Sequence, residues 1–106
     1  MKVVVGRHNA IGADARWTVY VVECSDGTFY TGITVDLPRR LLQHNNQKGA
    51  KYTRGRCPVE LVYQRMGLMQ SEARRAEYAM KKLAKKSKSK IDMMDALIDS
   101  ICGRPL

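Results

Sequence analysis

The chain has 106 residues, 44% of them apolar and 27% charged, and a formal net charge of +9. That length supports one domain with one modest core, and the excess of Lys and Arg points to a polyanionic partner: DNA, RNA or an anionic membrane surface. No apolar run reaches a membrane span, the start Met1-Lys2-Val3-Val4-Val5-Gly6-Arg7 is too short for an export signal, and Cys24, Cys57 and Cys102 are too dispersed for a disulfide scaffold or a zinc site, so a reduced, cytoplasmic protein is expected.

Residues 1–16 form an N-terminal extension. Val3-Val4-Val5 reads as a short strand and residues 9–15 as loop, either packed on the domain edge or a mobile arm. Trp17 to Glu23 is rich in aromatic and β-branched residues, and Thr28 to Ile33 is strand-like again. Asp26-Gly27 between them is a hairpin signal, because Gly27 tolerates positive φ. The two strands should be antiparallel, with Tyr20 and Tyr30 on neighbouring strands. A first helix is expected from Leu37 to Asn46, capped by Asp36 with Pro38 in its first turn. Residues 47–58 read as a basic loop broken by Gly49, Gly55 and Pro58. A strand follows from Glu60 to Gln64, and Gly67 ends that unit. A second helix runs from Ser71 or Glu72 to Lys85, with Ser71 as cap. Ala73, Ala76, Met80, Leu83 and Ala84 form its apolar stripe, and Glu72, Arg75, Lys82 and Lys86 its outer face. After a lysine run to Lys90, the spacing of Ile91, Met94, Leu97, Ile98 and Ile101 predicts a final amphipathic helix closed by Gly103 and Pro105. The order is β-β-α-β-α-α, an α+β arrangement with its main unit at residues 17–90 and a C-terminal helix and tail at 91–106.

Two charges fall on faces that should turn inward. Arg40 and His44 lie three and seven residues after Leu37, on the face that also carries Leu41. Glu77 lies in the stripe of the second helix. Arg40 and Glu77 either form an ion pair between helices, which seldom improves on apolar packing, or build a hydrolytic phosphate site. In that site Arg40 grips a phosphate and Glu77 holds a hard divalent cation through oxygen. Tyr20 and Tyr30 are either core aromatics or groups that orient or deprotonate a water beside a cation. His44 is either a satisfied half-buried ring or a proton-transfer group. Lys48, Lys51, Arg54 and Arg56 without a neighbouring acid read as a phosphate-backbone track. Arg39, Thr53 and Tyr52 are candidate additional contacts, Tyr52 by base stacking. Nothing matches a Walker loop or a dinucleotide fingerprint.

These residues, in this order, resemble the GIY-YIG nuclease domain. Thr18-Val19-Tyr20 stands for its first signature, Tyr30-Thr31-Gly32 for its second, and Asp36, Leu37 and Arg40 match the helix that follows. Glu77 matches the metal-binding glutamate. The stretch from Lys48 to Lys51 is similar to the small single-domain YhbQ-like (UPF0213) bacterial proteins. Thr18 and Val19 replace the glycine and isoleucine of the first signature, and Thr31 the isoleucine of the second. The resemblance implies a three-stranded antiparallel sheet flanked by helices and an endonuclease using Mg²⁺ or Mn²⁺. It assigns Tyr20 or Tyr30 to the water, Arg40 to the scissile phosphate, Glu77 to the metal and His44 to a supporting donor or base.

The expectation is a metal-dependent endonuclease acting on DNA rather than RNA, structure-directed or of low sequence specificity, with no membrane partner. The rival is a catalytically inactive nucleic-acid-binding module of the same fold. In a third reading the last helix serves as a surface for a protein partner or for self-association.

Overall fold

The computed structural model describes residues 4–5, 15–46, 48–84 and 94–102. Loop residues 9–14, the lysines from Lys85 to Lys90, Ile91, Gly103 and Pro105 lie outside the described residues.

Four strands form one sheet: β1 (Val4–Val5), β2 (Trp17–Glu23), β3 (Phe29–Thr34) and β4 (Glu60–Leu68), in the order β1-β4-β2-β3. β2, β3 and β4 are the expected three-stranded antiparallel sheet; β1 adds a two-residue parallel strand beside β4. Five successive residues of β2, Thr18 to Val22, are buried, as befits a central strand covered on both faces. The hairpin turn to β3 is the predicted one. Gly27 sits at φ 83°, and the Asp26 carboxylate accepts from the Thr28 N–H and hydroxyl. β4 runs beyond the expected Gln64, because the charged Arg65 is buried within the sheet rather than ending it.

Helix α1 (Leu37–Asn45) begins as predicted, with the Asp36 carboxylate accepting from the Arg39 N–H at 3.2 Å and Pro38 in the first turn. Helix α2 (Gln70–Ala84) starts before Ser71, so Ser71 is not its cap. Glu72 reaches back instead, and its carboxylate accepts from the Met69 N–H at 2.9 Å, satisfying a donor the first turn leaves open. Glu72 is accordingly buried and not on the outer face. Helix α3 (Met94–Cys102) completes the expected β-β-α-β-α-α order, which β1 precedes.

The alternation of β2 divides the core in two. Val19 and Val21 meet Val62, Tyr63 and Leu68, Ala73, Ala76 and Met80 of α2, and Ile98 of α3. Tyr20 and Val22 face the other way, toward Leu37 and Leu41 of α1, Val59 and Leu61. α3 is fixed on the first side by Arg65, which is fully buried. Its guanidinium pairs with Asp99 at 2.7 Å and Asp95 at 3.6 Å, and the Tyr63 hydroxyl donates to Asp95 at 2.6 Å. The Ile98 position of the last helix is therefore used inside the molecule. Among the described residues no helix is long and apolar enough to cross a membrane.

Candidate active site

β3 is an outer strand of the sheet, and the site gathers beside it. The β2–β3 register sets Tyr20 opposite Gly32. The Tyr20 ring lies across that glycine so closely that a Cβ on Gly32 would come within 2.6 Å of the phenol oxygen. Only a residue without a side chain leaves that space. α1 brings His44 to the same place. Its Nε2 is 2.8 Å from the Tyr20 hydroxyl, and both are fully buried. The Tyr30 and Tyr20 rings approach His44 edge-on, with centroids at 5.4 and 5.9 Å.

The loop after α1 wraps the histidine. Gly49 packs directly on the imidazole, where a Cβ would collide with Nδ1 and with the His44 backbone. A single 3₁₀ turn, Lys51–Thr53, then delivers the Thr53 hydroxyl to Nδ1 at 2.8 Å. Asn45 exchanges hydrogen bonds with the backbone of Val59, and the Cys57 thiol donates to the His44 carbonyl, so the loop is tied to the end of α1.

Burial drives the protonation states apart from their ordinary values. It pushes the Tyr20 hydroxyl up to about 12; the nearby Arg40 guanidinium opposes the rise, while the Tyr30 and Glu77 charges add to it. Burial, assisted by Arg40, pulls His44 down to about 4, so the imidazole is neutral at pH 7. These couplings place Arg40 from one layer and Glu77 from the other within electrostatic reach of Tyr20. The ion pair allowed by sequence is not formed. Among the described residues Arg40 donates to Gln43 Oε1 at 3.0 Å, and Glu77 pairs with its helical neighbour Lys81 at 3.4 Å. Arg39, Arg40, Gln43 and Trp17 line a cleft of about 340 Å³ at this edge.

Of the expected nucleic-acid contacts, Arg39, Lys48, Lys51 and Arg54 are exposed. Tyr52 is partly exposed but already engaged: its ring stacks on Tyr30 at 5.9 Å, and the Arg56 guanidinium lies 4.1 Å from its centroid. Arg56 also pairs with Asp26 at 3.2 Å, so the hairpin supplies the acid that the loop lacks. Thr53 is fully buried and is a hydrogen-bond partner of His44, not a surface contact. Reading residues 47–58 as an undivided basic loop hid the inward turn at Thr53; the small pair Gly49-Ala50 just before it was the available signal.

The family model of the GIY-YIG catalytic domain matches residues 16–91. The chain belongs to the GIY-YIG family. It is 54% identical over 69 residues to a UPF0213 protein of Desulfotalea psychrophila, covering 64% of this chain and 63% of that one. It is also 54% identical over 70 residues to a UPF0213 protein of Halobacterium salinarum, covering 66% and 91%. Among solved structures it is similar to the solution NMR structure of a UPF0213 protein from Bacillus halodurans, at 44% identity and a TM-score of 0.43, with 76% and 83% covered. Membership of the GIY-YIG family makes this a domain of nuclease descent. Tyr20, Tyr30 and His44 meet beside β3, with Arg40 near Tyr20.

Proposed function

We propose that the protein is a divalent-metal-dependent endonuclease that hydrolyses phosphodiester bonds in DNA, directed by structure or of low sequence specificity. The observation that carries the reading is Arg40. It stands beside Tyr20 in an open cleft, and among the described residues no carboxylate neutralises it. A phosphate is the partner that such a guanidinium suits, and Lys48, Lys51, Arg54 and Arg39 extend the positive surface for the flanking backbone.

Glu77 fits the metal expected of such an enzyme. Among the described residues no group of three His, Cys, Asp or Glu side chains forms a cage. Mg²⁺ and its like are commonly held by one or two carboxylates together with waters and substrate phosphates, a demand that a single glutamate can meet. The ion pair of Glu77 with the half-exposed Lys81 is weak enough for a cation to replace. When bound, the cation shields the phosphate and eases departure of the leaving oxygen. Tyr20 orients the attacking water and passes its own proton to His44 as it takes one from the water. Tyr30 closes the pocket beside them.

The high pKa of the Tyr20 hydroxyl favours one rival, a binding module that keeps the fold without cutting. Labelled flaps, forks, nicks, single strands and duplex, in DNA and RNA, incubated with Mg²⁺ or Mn²⁺, separate the two. Cleavage by the wild type should fall about 10²–10³-fold in Arg40→Ala and in Glu77→Ala, with binding retained in Glu77→Ala. Salt-sensitive binding without cleavage by any of the three proteins would establish the binding module.

A further inference from the structure

His44 has a hydrogen-bond partner at each ring nitrogen, Tyr20 at Nε2 and Thr53 at Nδ1. The Thr53 hydroxyl is 3.0 Å from the Ala50 carbonyl oxygen, which can only accept, and 2.8 Å from His44 Nδ1. A hydroxyl has one proton to give. With that proton on Ala50, Thr53 faces the imidazole as an acceptor, so Nδ1 must carry the hydrogen. A neutral ring protonated at Nδ1 is bare at Nε2, and Nε2 is the atom 2.8 Å from the Tyr20 hydroxyl. In that arrangement the chain runs one way: Tyr20 Oη–H to Nε2, Nδ1–H to Thr53 Oγ1, Thr53 Oγ1–H to the Ala50 carbonyl.

We propose that Thr53 is a positioning residue that fixes His44 as the Nδ1–H tautomer, so that Nε2 is the atom that receives the Tyr20 proton. The assignment rests on the nuclease reading for its role in catalysis, and it singles out Tyr20 rather than Tyr30 as the tyrosine in the proton path. No hydrogen bond between Tyr30 and His44 stands among the described contacts; those two meet ring to ring. During hydrolysis the water oxygen bonds to phosphorus and the bond from phosphorus to the leaving sugar oxygen breaks. The water proton goes to Tyr20 Oη, the Tyr20 proton goes to His44 Nε2, and the leaving oxygen is protonated from solvent. The imidazolium returns its extra proton to solvent after product leaves. With the tautomer reversed, Nε2–H would face the Tyr20 hydroxyl as a donor and could accept nothing.

The geometry explains the tight loop. Gly49 lets the backbone lie on the imidazole, and the 3₁₀ turn after it presents Thr53 and the Ala50 carbonyl together. The loop is thus more than a basic surface: its inner side holds one ring in one protonation pattern.

The test is ¹⁵N NMR of the His44 ring in the wild type, Thr53→Ser and Thr53→Val, beside the cleavage assay. The expected result is a protonated Nδ1 and a bare Nε2 in the wild type and in Thr53→Ser. Thr53→Val should lose that pattern, and its cleavage rate should fall about 10–100-fold, the range found when the partner that orients a metal-bound histidine is removed. Near-wild-type cleavage by Thr53→Ser would show that the hydroxyl, not the methyl, matters. A bare Nδ1 in the wild type would overturn the proposal whether or not DNA is cut, and needs no variant to fold. An unchanged ring pattern and rate in folded Thr53→Val would overturn it too. The expected ring pattern in a wild type that cuts nothing would support the assignment of Thr53 and overturn the nuclease reading.

Discussion

His44 is neutral because the fold keeps it so, and that has a measurable cost in acid. The folded chain resists protonating the ring until about pH 4, whereas an unfolded chain takes up that proton near the ordinary histidine value of 6.5. Between those values the unfolded state binds more protons, so stability falls as pH drops through the window and the loss levels off below it. The full shift amounts to about 3 kcal/mol, read as the difference between wild type and His44→Gln in denaturant titrations at pH 7 and pH 4. The second cause of the low value is the Arg40 charge. A phosphate bound by Arg40 cancels that charge, so the His44 pKa should rise when a non-cleavable oligonucleotide is bound, as followed by NMR titration of the ring. The base then gains strength only when substrate is present. At this scale the sequence was informative where a charge had to be explained. Arg40, His44 and Glu77 stood out because their helical spacing put them among apolar residues. Thr53 did not, since a small hydroxyl in a basic loop has no periodic pattern to violate.

Strands and helices bring those residues together through a few specific contacts. Gly32 is where the Tyr20 ring crosses β3. Gly32→Ala should destabilise the chain by about 1–3 kcal/mol in urea unfolding and lose most activity, because the new methyl displaces the phenol from His44. α3 depends on Arg65. Asp99→Ala leaves a buried guanidinium short of its 2.7 Å partner and should cost about 3 kcal/mol by the same measurement. The aromatic and β-branched run of β2, the Asp26-Gly27 turn and the Asp36 cap made β2, β3 and α1 readable almost to the residue. β4 was read short, because a strand that buries an arginine looks like a strand that has ended. The remedy lay far away in the chain: Asp95 and Asp99, four apart on the last helix and flanking Ile98, are the charges that allow Arg65 inside. Ser71 misled because the side chain of the next residue, Glu72, does the capping from within the helix. Such choices depend on which group wins a donor in three dimensions.

The described residues form a sheet between two helical layers, with the candidate site beside the outer strand β3, and the chain carries a net charge of +9. Binding to duplex DNA should weaken linearly in log–log form with salt. Replacing Lys51 or Arg54 by Gln should reduce that slope by about 0.9 for each lost phosphate contact, measured by fluorescence anisotropy across a salt series. Replacing Arg56 should change it less, since Asp26 already shares its charge. Composition made the excess of positive charge legible at once, but not that it divides between exposed cations and one held in a stack with Tyr52. Trp17, the only tryptophan of the chain, lines the same cleft as Arg39 and Arg40. The molecule thus carries a built-in optical reporter: ligand arriving at the guanidinium changes the polarity around the sole indole, and occupancy can be followed by intrinsic emission in an unlabelled, unmodified chain.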